Sequence, residues 1–72
     1  MPSWRDLKRF CDRDGWDNYK TTDHYFYRKE DEYGNIRYTK VSMGTGEIHS
    51  HRWKEILKRQ LNVTQEYFNK YT

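Results

Sequence analysis

The spacing of apolar residues near the N-terminus predicts a helix. The apolar positions that recur at helical intervals are Trp4, Leu7, Phe10 and Cys11. Ser3 can cap this helix, while Asp6, three residues later, can bond back to the cap. Gly15 lies where a C′ glycine ends a helix. We therefore expect a helix between Ser3 and Gly15, with Cys11 buried on its apolar stripe.

Three short segments rich in aromatic and β-branched residues predict an antiparallel sheet. They span residues 16–20, 24–29 and 36–43. Thr21-Thr22-Asp23 is the predicted turn between the first two segments, and Tyr33-Gly34-Asn35 is a hairpin signal between the second and third. Alternation puts aromatic residues on both faces of the second strand, so the pattern does not tell which face is buried. It favours a central position for this strand.

The C-terminal part of the chain returns to helical spacing. Gly44-Thr45-Gly46 matches no phosphate-binding fingerprint and is interpreted as a plain turn. The apolar stripe that follows it consists of Trp53, Ile56, Leu57 and Leu61. Asn62 can end this helix, and Thr64 can cap a short last helix. The residues expected to face inward there are Val63, Phe68 and Tyr71.

The order of these elements is helix, three strands, helix and short helix. Antiparallel strands joined by short turns leave one sheet face for both long helices to cover. The predicted fold class is therefore α+β, a two-layer arrangement with a three-stranded antiparallel sheet and helices on one face. This α-β-β-β-α(-α) order matches the architecture of the double-stranded-RNA-binding domain. A length of 72 residues predicts a single domain over residues 1–72.

Composition predicts an aromatic core beneath a charged surface. The mean hydropathy of −1.41 is low, but aromatic residues make up 18% of the chain and each can bury ~150–250 Å². The net charge of +3 suits a nucleic acid or an acidic protein partner and identifies neither.

The cysteine count and the apolar runs bear on the compartment. One cysteine allows no intramolecular disulfide, which favours a reducing environment. No apolar run approaches the roughly 20 residues that span a membrane, and no signal-peptide pattern opens the chain. We expect a cytoplasmic protein without a membrane partner.

An ordered set of short motifs resembles the HicA toxins of bacterial toxin–antitoxin systems. The segments that resemble the family are Gly15-Trp16, the turn closing on His24, Tyr27-Arg28-Lys29, Thr39-Lys40-Val41-Ser42, Gly46-Glu47-Ile48, Trp53-Lys54-Glu55-Ile56-Leu57, Gln60-Leu61 and Val63-Thr64-Gln65-Glu66-Tyr67-Phe68. The resemblance implies a small ribonuclease that cuts mRNA without a metal or other cofactor. It also implies a HicB-like antitoxin partner that holds the toxin inactive, and the expected state is a monomer or weak homo-oligomer.

The HicA resemblance implies a catalytic role for His24. The family signature is Gly-Ser-His, and Thr22-Asp23-His24 stands in its place here, so the histidine matches while the glycine and serine do not. Thr22 or Thr21 could supply the missing hydroxyl. Asp23 adds a negative charge that could orient His24, could raise the pKa of His24, or could repel phosphate.

RNA cleavage needs proton transfer and positive charge. The 2′-OH is the nucleophile, so a base must take its proton, an acid must protonate the leaving 5′-oxygen, and cations must stabilise the phosphorane. His24 can serve in a proton-transfer role. The residues predicted to bind RNA are Lys20, Thr22, Arg28, Lys29 and Lys40. The alternative is that the cations are ordinary surface charges.

Other polar groups are assigned no chemistry. His49 and His51 form a His-x-His pair, but a closed zinc site needs four ligands, so we expect no metal and interpret both as residues flanking a helix start. Asp12 and Asp14 are expected on a helix surface. The alternative function is a non-catalytic module of the same fold that binds RNA or protein. Fold alone does not decide between the two functions.

Overall fold

Three antiparallel strands form one open sheet in the computed structural model, which describes residues 2–44 and 46–71. The strands are β1 (Asp17–Thr21), β2 (His24–Glu30) and β3 (Ile36–Ser42), in the spatial order β1-β2-β3. The central position predicted for β2 is therefore confirmed. Strand β1 begins one residue later than predicted, because the backbone N–H of Trp16 donates to the carbonyl of Cys11 and belongs to the helix end.

The first helix, α1 (Trp4–Arg13), has the predicted ends. The Ser3 hydroxyl accepts a hydrogen bond from the Asp6 N–H at 3.2 Å, and the Asp6 carboxylate accepts one from the Ser3 N–H at 3.0 Å. Gly15 follows the helix with φ of +82°, a left-handed conformation that glycine adopts without steric cost. The bond from the Trp16 N–H to the Cys11 carbonyl is the 6→1 bond of a Schellman-type helix end.

The second helix changes its winding along its length. Helix α2 (Ser50–Glu55) continues into a π-helical segment (Ile56–Leu61), and the chain leaves it through Asn62 with φ of +56°. Ile56 and Leu61 lie five residues apart and are both buried, as the i→i+5 bonding of a π-helix allows. Helix α3 (Gln65–Asn69) begins with the predicted Thr64 cap, which accepts from the Tyr67 N–H at 3.1 Å.

The hydrophobic core lies between the helices and one face of the sheet. Tyr27 and Val41 point from that face into the core, where helices α1 and α2, the π-helical segment and α3 contribute most of the other buried side chains. The three residues predicted to face inward near the C-terminus all contact the core. Phe68 is buried, and Val63 and Tyr71 are half-buried. Cys11 is fully buried as predicted, and burial raises the pKa of its thiol. The fold is α+β with a three-stranded antiparallel sheet.

The opposite face of the sheet remains open. The side chains of β2 that point to it are His24, Phe26 and Arg28, and those of β3 include Tyr38 and Lys40. Tyr38 is 55% exposed, whereas Tyr27, next to it across the sheet but on the other face, is fully buried. We call this side of the sheet the open face. No helix among residues 2–44 and 46–71 has the length and apolar composition to cross a membrane.

The Asp14 side chain is a buried junction, so the expectation that Asp14 lies on the helix surface is wrong. Its side chain is 5% exposed, and its carboxylate accepts hydrogen bonds from Trp16 Nε1 at 3.1 Å, Lys29 Nζ at 3.0 Å and the Tyr67 hydroxyl at 2.5 Å. Lys29 Nζ also donates to the Asp14 carbonyl at 2.8 Å. One carboxylate therefore joins the end of α1 to β2 and α3.

Removing the Asp14 carboxylate should destabilise the whole domain. Asp14→Ala leaves the Tyr67 hydroxyl and Trp16 Nε1 without this acceptor and leaves the Lys29 ammonium with only the backbone carbonyl of residue 14. We expect it to lower the free energy of unfolding by roughly 3 kcal/mol. The matched control is Asp17→Ala, which removes an exposed ion pair with Arg28 and should change stability by less than about 1 kcal/mol. Urea denaturation followed by circular dichroism measures both, and equal losses would contradict the role of Asp14.

Stability should also fall at alkaline pH because of Tyr27. Burial, followed by the 2.7 Å hydrogen bond that its hydroxyl donates to Asp12, raises the pKa of Tyr27. The folded state thus favours the protonated phenol, so this stabilisation is present below the unfolded pKa of about 10 and is lost as pH rises above it. Tyr27→Phe should be about 1 kcal/mol less stable at neutral pH and should show a shallower alkaline decline in urea titrations. Tyr33→Phe, in the exposed hairpin, should match the wild type.

Candidate active site

A groove of about 460 Å³ lies where the β3 edge of the sheet meets α2 and the π-helical segment, and its lining includes residues of the open face. The polar side chains that line it include His24, Lys40, His51, Arg52, Glu55 and Gln60. We call it the His24 groove. Its walls come from the start of β2, the middle of β3, the first turn of α2 and the π-helical segment, so it gathers residues that are far apart in sequence.

The sheet places His24 and Lys40 on the same face. His24 pairs with Ser42 and Phe26 pairs with Lys40 across the antiparallel ladder, so the histidine and the lysine occupy neighbouring rows of the open face. The imidazole is partly shielded, with 33% of its side chain exposed. A short bridge between Ser3 and Glu47 holds the start of α1 beside the segment that leads into α2, and Trp4 closes one wall of the groove.

The turn before β2 fixes the surroundings of His24. The Thr22 hydroxyl donates to Asp23 Oδ1 at 3.0 Å, and the same oxygen lies 3.4 Å from His24 Nδ1. The hydrogen bond from Thr22, and then the contact with His24, lower the pKa of Asp23 below its ordinary value. This contact matches the alternative in which Asp23 orients His24. It leaves Nε2 as the ring nitrogen available for proton exchange.

Three of the predicted cations share the open face with His24. Lys20 Nζ lies 5.3 Å from the centre of the Phe26 ring, and Arg28 stacks over Tyr19 at 5.0 Å. Lys40 is exposed and lines the His24 groove itself. All three are therefore positioned to meet one ligand that lies across the sheet.

The other two predicted RNA-binding residues have different surroundings. The structure does not bring Lys29 to His24, because its ammonium lies on the helix-covered face and is bound to Asp14. Thr22 is exposed in the turn, and its hydroxyl proton is donated to Asp23. A contribution of Thr22 to RNA binding would therefore act through the turn.

A second groove of similar volume, about 460 Å³, lies near the β2–β3 hairpin. Its polar lining includes Asp14, Lys29, Asp31, Arg37 and Tyr67. These groups bind one another, since Lys29 and Tyr67 bond to Asp14 and Arg37 contacts Asp31 at 3.3 Å. The charged groups of this second groove stabilise the fold through bonds to one another. The His24 groove, in contrast, presents imidazoles and cations to solvent.

The sequence analysis missed the contribution of α2 to the site. His51 and Arg52 lie in the first turn of α2 and line the His24 groove, whereas His49 precedes the helix and does not. Glu55 follows His51 by four residues and so lies on the same helical side. That i,i+4 spacing is a signal the sequence contains, but it does not show what the helix faces.

The polar groups of the groove match the requirements of proton-transfer chemistry on a phosphodiester. His24 and His51 supply two imidazoles, the side chain used most often in general acid–base catalysis, and Lys40 and Arg52 can stabilise negative charge on phosphate. Within residues 2–44 and 46–71, no three His, Cys, Asp or Glu side chains are grouped closely enough to hold a metal ion.

Comparisons of the chain with known proteins place it in no family. No family model matches it, and neither a curated protein nor a solved structure does. The groove and the residues that line it are therefore the features of the molecule that bear on its function.

The hydrogen bond from Thr22 can be tested by titration. Thr22→Val removes the largest cause of the lowered Asp23 pKa, so the carboxyl pKa should rise toward its ordinary value. Carbon-detected NMR of the Asp23 carboxyl measures it. The matched control is Thr21→Val, because the Thr21 hydroxyl donates to Asn18 and should leave Asp23 unchanged. An unchanged Asp23 pKa in Thr22→Val would contradict this assignment.

Proposed function

We propose that this protein is a HicA-like toxin, a ribonuclease that cleaves mRNA without a metal and is neutralised by a HicB-like antitoxin. The observation that supports the proposal is the His24 groove, in which His24 and His51 lie with Lys40 and Arg52. The helix-strand-strand-strand-helix order, with the core on one face of the sheet, is consistent with a double-stranded-RNA-binding-domain-like fold.

The proposed reaction is an internal transesterification of RNA. One imidazole takes the proton of the 2′-OH, whose oxygen attacks the neighbouring phosphorus, and the other protonates the 5′-oxygen as the P–O5′ bond breaks. The products are a 2′,3′-cyclic phosphate and a free 5′-OH, so protons and electrons balance without a co-reactant. Lys40 and Arg52 stabilise the added charge on the phosphorane oxygens.

The two histidines have different surroundings, which suit different roles in proton transfer. Asp23 Oδ1 lies 3.4 Å from Nδ1 of His24 and so places an anion beside this imidazole, and His24 is assigned as the acid that protonates the leaving oxygen. His51 is exposed on the first turn of α2 and is assigned as the base. The sequence analysis expects a catalytic role for His24 alone, and the proposal adds His51 as a second catalytic histidine.

The test is cleavage of a mixed single-stranded RNA in excess EDTA. Wild type should cleave, and His24→Ala and His51→Ala should each lose roughly 10²–10⁴-fold in rate, the usual contribution of general acid–base catalysis. His49→Ala is the matched control, because His49 is two residues from His51, is also exposed and lies outside the groove. It should retain full activity.

The outcomes separate the proposal from its alternative. Circular dichroism must show that each variant is folded. Equal rates in wild type and both groove variants would assign the cleavage to a contaminant or another site. Absence of cleavage by wild type, together with salt-dependent RNA binding, would favour the non-catalytic binding module. The Thr22-Asp23 pair in place of Gly-Ser would then be the physical reason.

A further inference from the structure

Three aromatic rings form a cluster on the open face of the sheet. Each strand contributes one ring, and the Tyr19 ring centre lies 6.3 Å from that of Phe26 and 6.1 Å from that of Tyr38. We call this cluster the aromatic platform. Tyr19 and Tyr38 are 40% and 55% exposed although the domain has a core on its other face. Packing of the fold therefore does not explain why these rings are here.

Cations are placed among the rings of the platform. Lys20 lies over Phe26 and Arg28 over Tyr19, while Lys40 stands opposite Phe26 on β3. The Asp17 carboxylate pairs with Arg28 at 3.4 Å, at the end of the sheet away from His24. Positive charge and flat apolar surface thus alternate across the face, which is the complement of a chain of bases and phosphates.

The aromatic platform is continuous with the His24 groove. The centres of the His24 and Phe26 rings are 6.2 Å apart, and Lys40 and Gln60 line both the groove and a shallow depression of about 290 Å³ over the platform. A chain whose phosphate lies in the groove can therefore extend over the rings without leaving the protein surface.

We propose that the aromatic platform binds unpaired bases of single-stranded RNA next to the cleavage position. Bases stack on Tyr38 and Tyr19, while Lys20 contacts a flanking phosphate and Lys40 stays on the scissile phosphate, between the platform and the groove. A duplex hides the faces of its bases in its own stack, so only an unpaired strand can use these rings. RNA as the ligand rests on the proposed function. The platform adds that this RNA is single-stranded where it meets the sheet.

The test measures binding without cleavage. A fluorescent single-stranded RNA of mixed sequence with 2′-O-methyl groups lacks the nucleophile, so fluorescence anisotropy reports affinity whether or not the protein is a nuclease. Wild type should bind it more than 10-fold tighter than the duplex of the same sequence. Tyr38→Ala should weaken single-strand binding by roughly 5–150-fold, the effect of losing one stacked base, and Tyr38→Phe should retain affinity.

The chain offers a matched control for the loss of an exposed tyrosine. Tyr33 is 80% exposed in the β2–β3 hairpin, away from the platform, so Tyr33→Ala should bind as wild type does. Tyr19→Ala provides a second platform variant should Tyr38→Ala fail to fold by circular dichroism. Tyr38→Ala and Tyr19→Ala should both weaken the binding of single-stranded RNA.

The proposal would be overturned by equal affinity for single strand and duplex, by platform variants that bind like wild type, or by the same loss in Tyr33→Ala. Failure of the platform and failure of the nuclease are distinguishable. Binding without cleavage of ordinary RNA would uphold the platform and refute the catalytic proposal. Cleavage with unaffected binding in the platform variants would do the reverse. Absence of RNA binding would leave the open face to a protein partner and refute the inference.

Discussion

The Asp14 carboxylate is the interaction on which the arrangement of the domain depends. A chain of 72 residues buries a smaller share of its surface than a larger domain does, so apolar packing alone holds its elements weakly. Asp14 adds a shielded anion that binds Lys29 of β2 and Tyr67 of α3 at the end of α1. Because each partner comes from a different element, one side chain ties the end of α1 to strand β2 and helix α3.

The bond between Asp14 and Lys29 also determines which side chains of β2 lie on the open face. Lys29 and Tyr27 are held on the helix side, so His24, Phe26 and Arg28 point to the open face. Since side chains alternate along a strand, a slip of one residue in register would bury the imidazole and expose the core tyrosine. The stability of the fold and the presentation of the candidate site are thus two consequences of one register.

The His24 groove shows why a site is harder to predict than an element. His24 was found from its place at a turn, but His51 and Arg52 come from a helix far along the chain and contribute because α2 packs beside β3. The local sequence of α2 does not indicate that its first turn lines the same groove as His24. The same holds for Lys29. Its positive charge predicts RNA binding, but in the folded protein its ammonium binds the Asp14 carboxylate.

The sequence by itself determined the order of the elements, both ends of α1 and the start of α3. The Ser3 capping box, the Thr64 cap and the left-handed Gly15 all act within a few residues, so their signals are local and were predicted correctly. Only the tertiary structure decided which sheet face is buried, that Asp14 is a junction, and that the end of α2 winds as a π-helix. These depend on contacts between elements distant in sequence, and residue spacing along the chain contains no record of the partner that each side chain meets.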